Sequence, residues 1–149
     1  MILVIKTNQH RLHDDEFVKP ITDLLPKNQF IVKHYSELTE ENIEKTDKII
    51  ICGTALKDNN YRNNLDKFVW LKTYNKPVLG ICAGMQIIGL MQGHKLINNK
   101  KIGVFEGKYH LHNFGVKDFR DEMKIDNFRG YLFHPEVLNK NLILEFART

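Results

Sequence analysis

Cysteine is nearly absent from this chain of 149 residues, with only Cys52 and Cys82 present. That is too few for a secreted disulfide scaffold, and both close an apolar run, where a thiol is more often buried or catalytic than bridged. Long hydrophobic runs are missing as well. The apolar opening, Ile2-Leu3-Val4-Ile5, is too short for a membrane span or a signal peptide, which points to a cytoplasmic protein with no membrane partner. No repeat, low-complexity tract or Pro/Gly/Ser-rich linker divides the chain, so residues 1–149 read as one domain. Charge of one sign is not concentrated. The 22 Lys and Arg are scattered among 18 Asp and Glu, no basic stripe carries interleaved aromatics, and no nucleic-acid partner is expected.

What remains is an alternation of short β-branched runs and helical patterns. Residues 2–5, 29–35, 49–52 and 78–81 read as strands. Between them, residues 14–25 suggest a helix that Pro20 kinks or delays, and Thr39-Glu40-Glu41-Asn42 suggests another with acids in its first turn. Leu65, Phe68, Val69 and Leu71 have helical spacing within residues 59–74. Four such alternations predict an α/β fold with a parallel sheet and helices on both faces. Such sheets bind ligands at the carboxyl ends of their strands, where Cys52-Gly53 and Cys82 fall. Further on, residues 85–91 predict an apolar helix capped by Gly93, and residues 101–119 predict short antiparallel strands. Residues 131–133 predict a last buried strand and residues 142–147 a closing helix, starting as early as Asn139 or Asn141.

The most informative stretch is Gly80-Ile81-Cys82-Ala83-Gly84. A strand, a G-x-C-x-G turn and a helix form the thiol version of a nucleophile elbow. In so tight a turn, side chains two positions either side of the nucleophile collide with neighbouring backbone, and glycine removes the collision. The thiol then sits at a helix N-terminus, which favours its anion, as does a nearby imidazolium.

A base and its orienting acid are offered by Phe133-His134-Pro135-Glu136. Pro135 biases His134 towards an extended backbone, and residues i and i+2 of an extended segment share a side. Glu136 can then hold one ring nitrogen while the other faces the thiol, the arrangement of a base with its orienting carboxylate. Four of the six remaining histidines come in two close pairs, His10 with His13 and His110 with His112. Neither has a cysteine or acid at ligand spacing to complete a set, so no metal site is expected.

Two strings, Pro77-Val78-Leu79-Gly80-Ile81-Cys82-Ala83-Gly84-Met85-Gln86 and Gly130-Tyr131-Leu132-Phe133-His134-Pro135-Glu136-Val137, resemble signatures of the class I glutamine amidotransferase family, in that family's order. The resemblance implies a flavodoxin-like fold with a small, trimmed antiparallel insertion. It implies hydrolysis of the glutamine side-chain amide through a cysteinyl thioester, with Cys82, His134 and Glu136 catalytic and no cofactor. It further implies an oxyanion held by the N–H of Ala83 and by one from the Gly53-Thr54 turn, a glutamine contact from Gln86, and ammonia delivered to a separate synthetase subunit. Other readings are a related cysteine hydrolase of another amide or γ-glutamyl bond, or a non-enzymatic binding or regulatory member.

Three departures stand out. Cys52-Gly53-Thr54-Ala55-Leu56 replaces the family's Gly-Gly-Pro-Gly-like loop. Cys82 and His134 are closer in sequence than usual, with Tyr109-His110-Leu111-His112-Asn113-Phe114-Gly115-Val116 as a remnant of the glutamine-binding insertion. No acceptor domain is recognisable.

Overall fold

The computed structural model describes residues 1–55, 58–105 and 108–149, with the backbone alone between 98 and 114. Strands β1 (Ile2–Lys6), β2 (Phe30–His34), β3 (Lys48–Ile51), β4 (Val78–Ile81), β7 (Glu122–Ile125) and β8 (Phe128–Tyr131) form one sheet in the order β2-β1-β3-β4-β8-β7. All neighbours run parallel except β7, which pairs antiparallel with β8. This is the flavodoxin-like α/β arrangement.

The central strands are apolar throughout because both of their faces are covered. Leu3, Ile5, Ile49, Ile51 and Val78 turn to one face, where they pack with Phe68, Leu71, Met85 and Ile88. Ile2, Val4, Ile50, Leu79 and Ile81 turn to the other and meet Val18, Ile21, Leu25 and Ile143. The two-residue period of a strand thus divides each apolar run between two cores.

Several expectations from the sequence are revised. The first helix is broken into α1 (Asp14–Phe17) and α2 (Lys19–Thr22), with Pro20 in the opening turn of the second, where its missing N–H costs nothing. Helix α3 (Glu40–Glu44) starts as expected, with Thr39 and Asn42 in a reciprocal capping box. Residues 59–74 are not α-helical. They form two 3-10 segments, Asn60–Asn63 and Leu65–Lys72. The inward positions Leu65, Phe68 and Leu71 recur every third residue, which suits three residues per turn, while Val69 is left exposed.

Helix α4 (Ala83–Met91) follows the elbow. It closes in a Schellman motif: His94 N–H donates to the Gly89 carbonyl at 2.8 Å and Gly93 N–H to Leu90 at 3.2 Å, with Gly93 at φ 87°. The antiparallel insertion is a single hairpin, β5 (Leu96–Phe105) with β6 (Lys108–Val116). It starts earlier and runs longer than the short strands expected. The last strand is β8, three residues upstream of the predicted 131–133, and β7 had no clear signal because its residues Glu122-Met123-Lys124-Ile125 are half charged. Helices α5 (Pro135–Leu138) and α6 (Lys140–Arg148) close the chain. Among the described residues no helix is long and apolar enough to cross a membrane.

Candidate functional site

The carboxyl ends of β3, β4 and β8 converge. Strand β4 delivers Cys82 into the junction with α4, at φ 50° and ψ −104°. A non-glycine residue there carries strain of about 1–3 kcal/mol, held in place by surrounding packing. A Cβ on Gly80 would lie 2.5 Å from the carbonyl carbon of Gly84, and one on Gly84 would lie 2.2 Å from the carbonyl oxygen of Ile51. Both glycines are therefore contact requirements of the turn. Cys82 N–H donates to the Tyr131 carbonyl at 2.6 Å, which ties the elbow to the end of β8.

From β8 the chain passes through Leu132 and Phe133 to His134, which is extended at φ −101° and ψ 91°. Pro135 then starts helix α5, so Glu136 lies in its first turn and not in an extended segment. The geometric premise from the sequence is corrected, yet the two side chains still meet: Nδ1 of His134 is 3.0 Å from Oε1 of Glu136. Glu136 is buried and its Oε2 has no hydrogen-bond partner.

Cys82 lies beside the same ring, its Cβ and Cε1 of His134 both closing on Gly53. Burial pulls the imidazole pKa down, but the hydrogen bonds to Cys82 and Glu136, and their negative charge, outweigh it and push the value up to about 10. Because Nδ1 faces the carboxylate, Nε2 is the nitrogen left for sulfur.

Gly53, just past β3, forms the third wall. A Cβ there would be 2.9 Å from Cε1 of His134 and 3.3 Å from Cβ of Cys82. The next residue, Thr54, is buried and donates through Oγ1 to Oδ2 of Asp58 at 3.1 Å. Ala83 is the first residue of α4, so its N–H has no intrahelical acceptor. Leu56, the last residue of the loop read from the sequence, lies outside the described residues, as do the side chains of residues 109–114.

The other cysteine is different in kind. Cys52 is wholly buried in the sheet, and burial raises its thiol far above the ordinary range. Both cysteines are free. Gln86 is also buried, on the first turn of α4, and its Oε1 accepts a hydrogen bond from the Tyr61 hydroxyl at 2.7 Å.

Sequence reasoning missed Tyr61, Asp58 and Phe17. Tyr61 and Asp58 come from an irregular stretch without a motif, and Phe17 looks like any helix core residue. In space, the Phe17 ring lies 5.6 Å from that of His134. Among the described residues no group of three His, Cys, Asp or Glu side chains could hold a metal ion.

The profile of the family described as glutamine amidotransferase class-I matches residues 14–148. No curated protein sequence matches the chain. Among solved structures, a protein named as a GMP synthase subunit from Thermoplasma acidophilum superposes with a TM-score of 0.70 at 15% identity, covering 99% of this chain and 93% of its own. A glutamine amidotransferase of Thermotoga maritima superposes with a TM-score of 0.64 at 15% identity, covering 99% and 90%. At that identity these likenesses speak to the fold.

Proposed function

The chain belongs to the class I glutamine amidotransferase family, and we propose that it hydrolyses the side-chain amide of glutamine, with Cys82 as nucleophile, His134 as acid and base, and Glu136 as the orienting carboxylate. The observation that carries this reading is the pairing of His134 Nδ1 with Glu136 Oε1 at 3.0 Å, with the elbow cysteine beside the same ring at Gly53.

The Cys82 thiolate attacks the amide carbon and a C–S bond forms. The carbonyl oxygen takes up negative charge against the N–H of Ala83 and one from the Gly53-Thr54 turn; one such donor is commonly worth about 2.7–4 kcal/mol. Imidazolium His134 gives its Nε2 proton to the amide nitrogen, the C–N bond breaks, and ammonia leaves. Water, deprotonated by His134, attacks the γ-glutamyl thioester. The C–S bond breaks, and glutamate and Cys82 are restored. Glu136 fixes the ring tautomer throughout.

Gln86 acts in substrate binding, aligned by Tyr61. The ammonia passes to a separate synthetase subunit, the kind of assembly that the word subunit denotes for the Thermoplasma protein. The two free thiols fit a reducing, cytoplasmic setting.

The test is to assay glutamate and ammonia from glutamine with the purified chain, alone and with proteins that co-purify from its source cell. Glutamine-dependent ammonia release that Cys82→Ala abolishes supports the reading. No release under either condition, together with no reaction of Cys82 with a glutamine-like electrophile, refutes it.

A further inference from the structure

At the amino ends of β3 and β4, the end of the sheet away from Cys82, lies a cavity of about 370 Å³ lined by Glu40, Ile43, Glu44, Trp70, Tyr74 and Lys76. Helix α3 supplies residues 40, 43 and 44, the i, i+3, i+4 set that shares one helix face. The rings of Trp70 and Tyr74 stand nearly at right angles, with centroids 5.6 Å apart and 85° between their planes. Their polar tips are already engaged. Trp70 Nε1 donates to the Lys67 carbonyl at 3.0 Å, and the Tyr74 hydroxyl lies 3.4 Å from Thr46 Oγ1. What the two rings offer a ligand is therefore their carbon surface. The loop that carries Tyr74 is pinned as well, since Asn127 Nδ2 donates to the carbonyls of Tyr74 and Lys76 at 3.1 and 2.6 Å.

The charges of the cavity do not balance. Glu41, on another face of α3, is paired with Lys45, but Glu40 and Glu44 have no ion-pair partner among the described residues. They stand four apart on one helix face, where like charges repel. The cation lining the cavity is Lys76, and its ammonium is held by the carbonyls of Glu44 and Thr46 at 2.9 and 2.8 Å. Two carboxylates and one ammonium leave an excess of negative charge.

We propose that this cavity is a docking socket for one arginine side chain of a partner protein. A guanidinium supplies the missing positive charge, stacks on aromatic carbon and reaches a carboxylate with two parallel donors, a geometry that a lysine ammonium lacks. The rim suits a side chain presented from outside, since Glu40, Glu44, Thr73 and Asn75 are all exposed. Val69, 52% exposed on the segment that carries Trp70, adds apolar surface for residues flanking the arginine. A free amino acid would bring a carboxylate to an acidic rim. The proposal is independent of the chemistry at Cys82, which lies past the other end of β4.

Trp70 is the only tryptophan of the chain, so its indole N–H resonance reports on the cavity without overlap. The test follows that resonance by NMR while the purified chain is titrated with a blocked Gly-Arg-Gly peptide, with the same peptide carrying lysine or citrulline, and with free arginine. The arginine peptide should shift the resonance saturably. Citrulline, its neutral isostere, should leave it unmoved, lysine should bind more weakly, and free arginine no tighter than the peptide. Combining Glu40→Gln with Glu44→Gln should weaken the arginine peptide by about fivefold or more. No saturable shift with the arginine peptide, equal shifts with arginine and citrulline, or an unchanged affinity in the folded double variant would each overturn the proposal. Lysine bound as tightly as arginine would overturn guanidinium recognition. Tighter binding of free arginine would overturn the protein partner and assign the cavity to a small molecule. Melting curves establish that the double variant is folded; if it is not, the comparison of arginine with citrulline on wild type decides.

Discussion

The backbone of Gly84 rests so close to Ile51 that a Cβ on it would stand 2.2 Å from the Ile51 carbonyl oxygen. That contact brings the first turn of α4 against the end of β3 and so presses the elbow towards Gly53. Gly84→Ala forces rigid backbone apart, because the obstructing atom belongs to a central strand. The expected cost is about 1–3 kcal/mol or more, read as a lower denaturation midpoint. Alkylation of Cys82 by iodoacetamide should change as well, since the elbow moves. A variant as stable and as reactive as wild type would contradict this contact.

The thiols should separate cleanly. Cys52 is sealed in the sheet and its burial disfavours the anion, whereas Cys82 lies beside the imidazole at Gly53. Cys82→Ala should abolish labelling by a glutamine-like electrophile. Cys52→Ala should retain labelling and lose stability through the cavity it leaves. Peptide mapping of the adduct decides between them, and label on Cys52 would overturn the assignment.

His134→Ala should lower turnover by about 10²–10⁴-fold, because the proposed mechanism asks one residue to be both acid and base. Glu136→Gln should leave more activity, since the ring stays hydrogen-bonded while tautomer and charge support are lost. Steady-state rates of folded variants measure this, and wild-type turnover by His134→Ala would exclude the role.

The raised pKa of His134 sets a direction for pH. Its ordinary value is 6.5 and its folded value about 10, so the protonated ring favours the folded state. That contribution is fully present below pH 6.5 and is lost as pH rises through about 10. The melting-temperature advantage of wild type over His134→Ala should shrink across that window. Glu136→Gln should move the ring's titration midpoint downwards in NMR spectra. An unmoved midpoint would mean that the carboxylate does not support the imidazolium.

The elbow was legible in the sequence because its glycines answer local collisions, and Gly80 and Gly84 meet backbone as the turn requires. The buried strands were legible because β-branched runs leave little else to read. The meeting of His134 and Glu136 was legible for a reason that needed revision, since Pro135 opens a helical turn where an extended segment was expected. Other features were hidden because they depend on tertiary contacts. The three-residue period of Leu65, Phe68 and Leu71 can be accommodated by an α-helix until packing chooses otherwise. The alignment of Tyr61 with Gln86 joins segments whose local sequence does not announce the bond.

The most direct test of Cys82 as the nucleophile for glutamine is to trap the covalent intermediate. Wild-type protein is mixed with isotopically labelled glutamine, quenched in acid within one turnover, and its intact mass and peptide map are read. The expected result is one added γ-glutamyl group on Cys82, absent from Cys82→Ala. Ammonia release from glutamine without any such adduct, or an adduct on another residue, would contradict it.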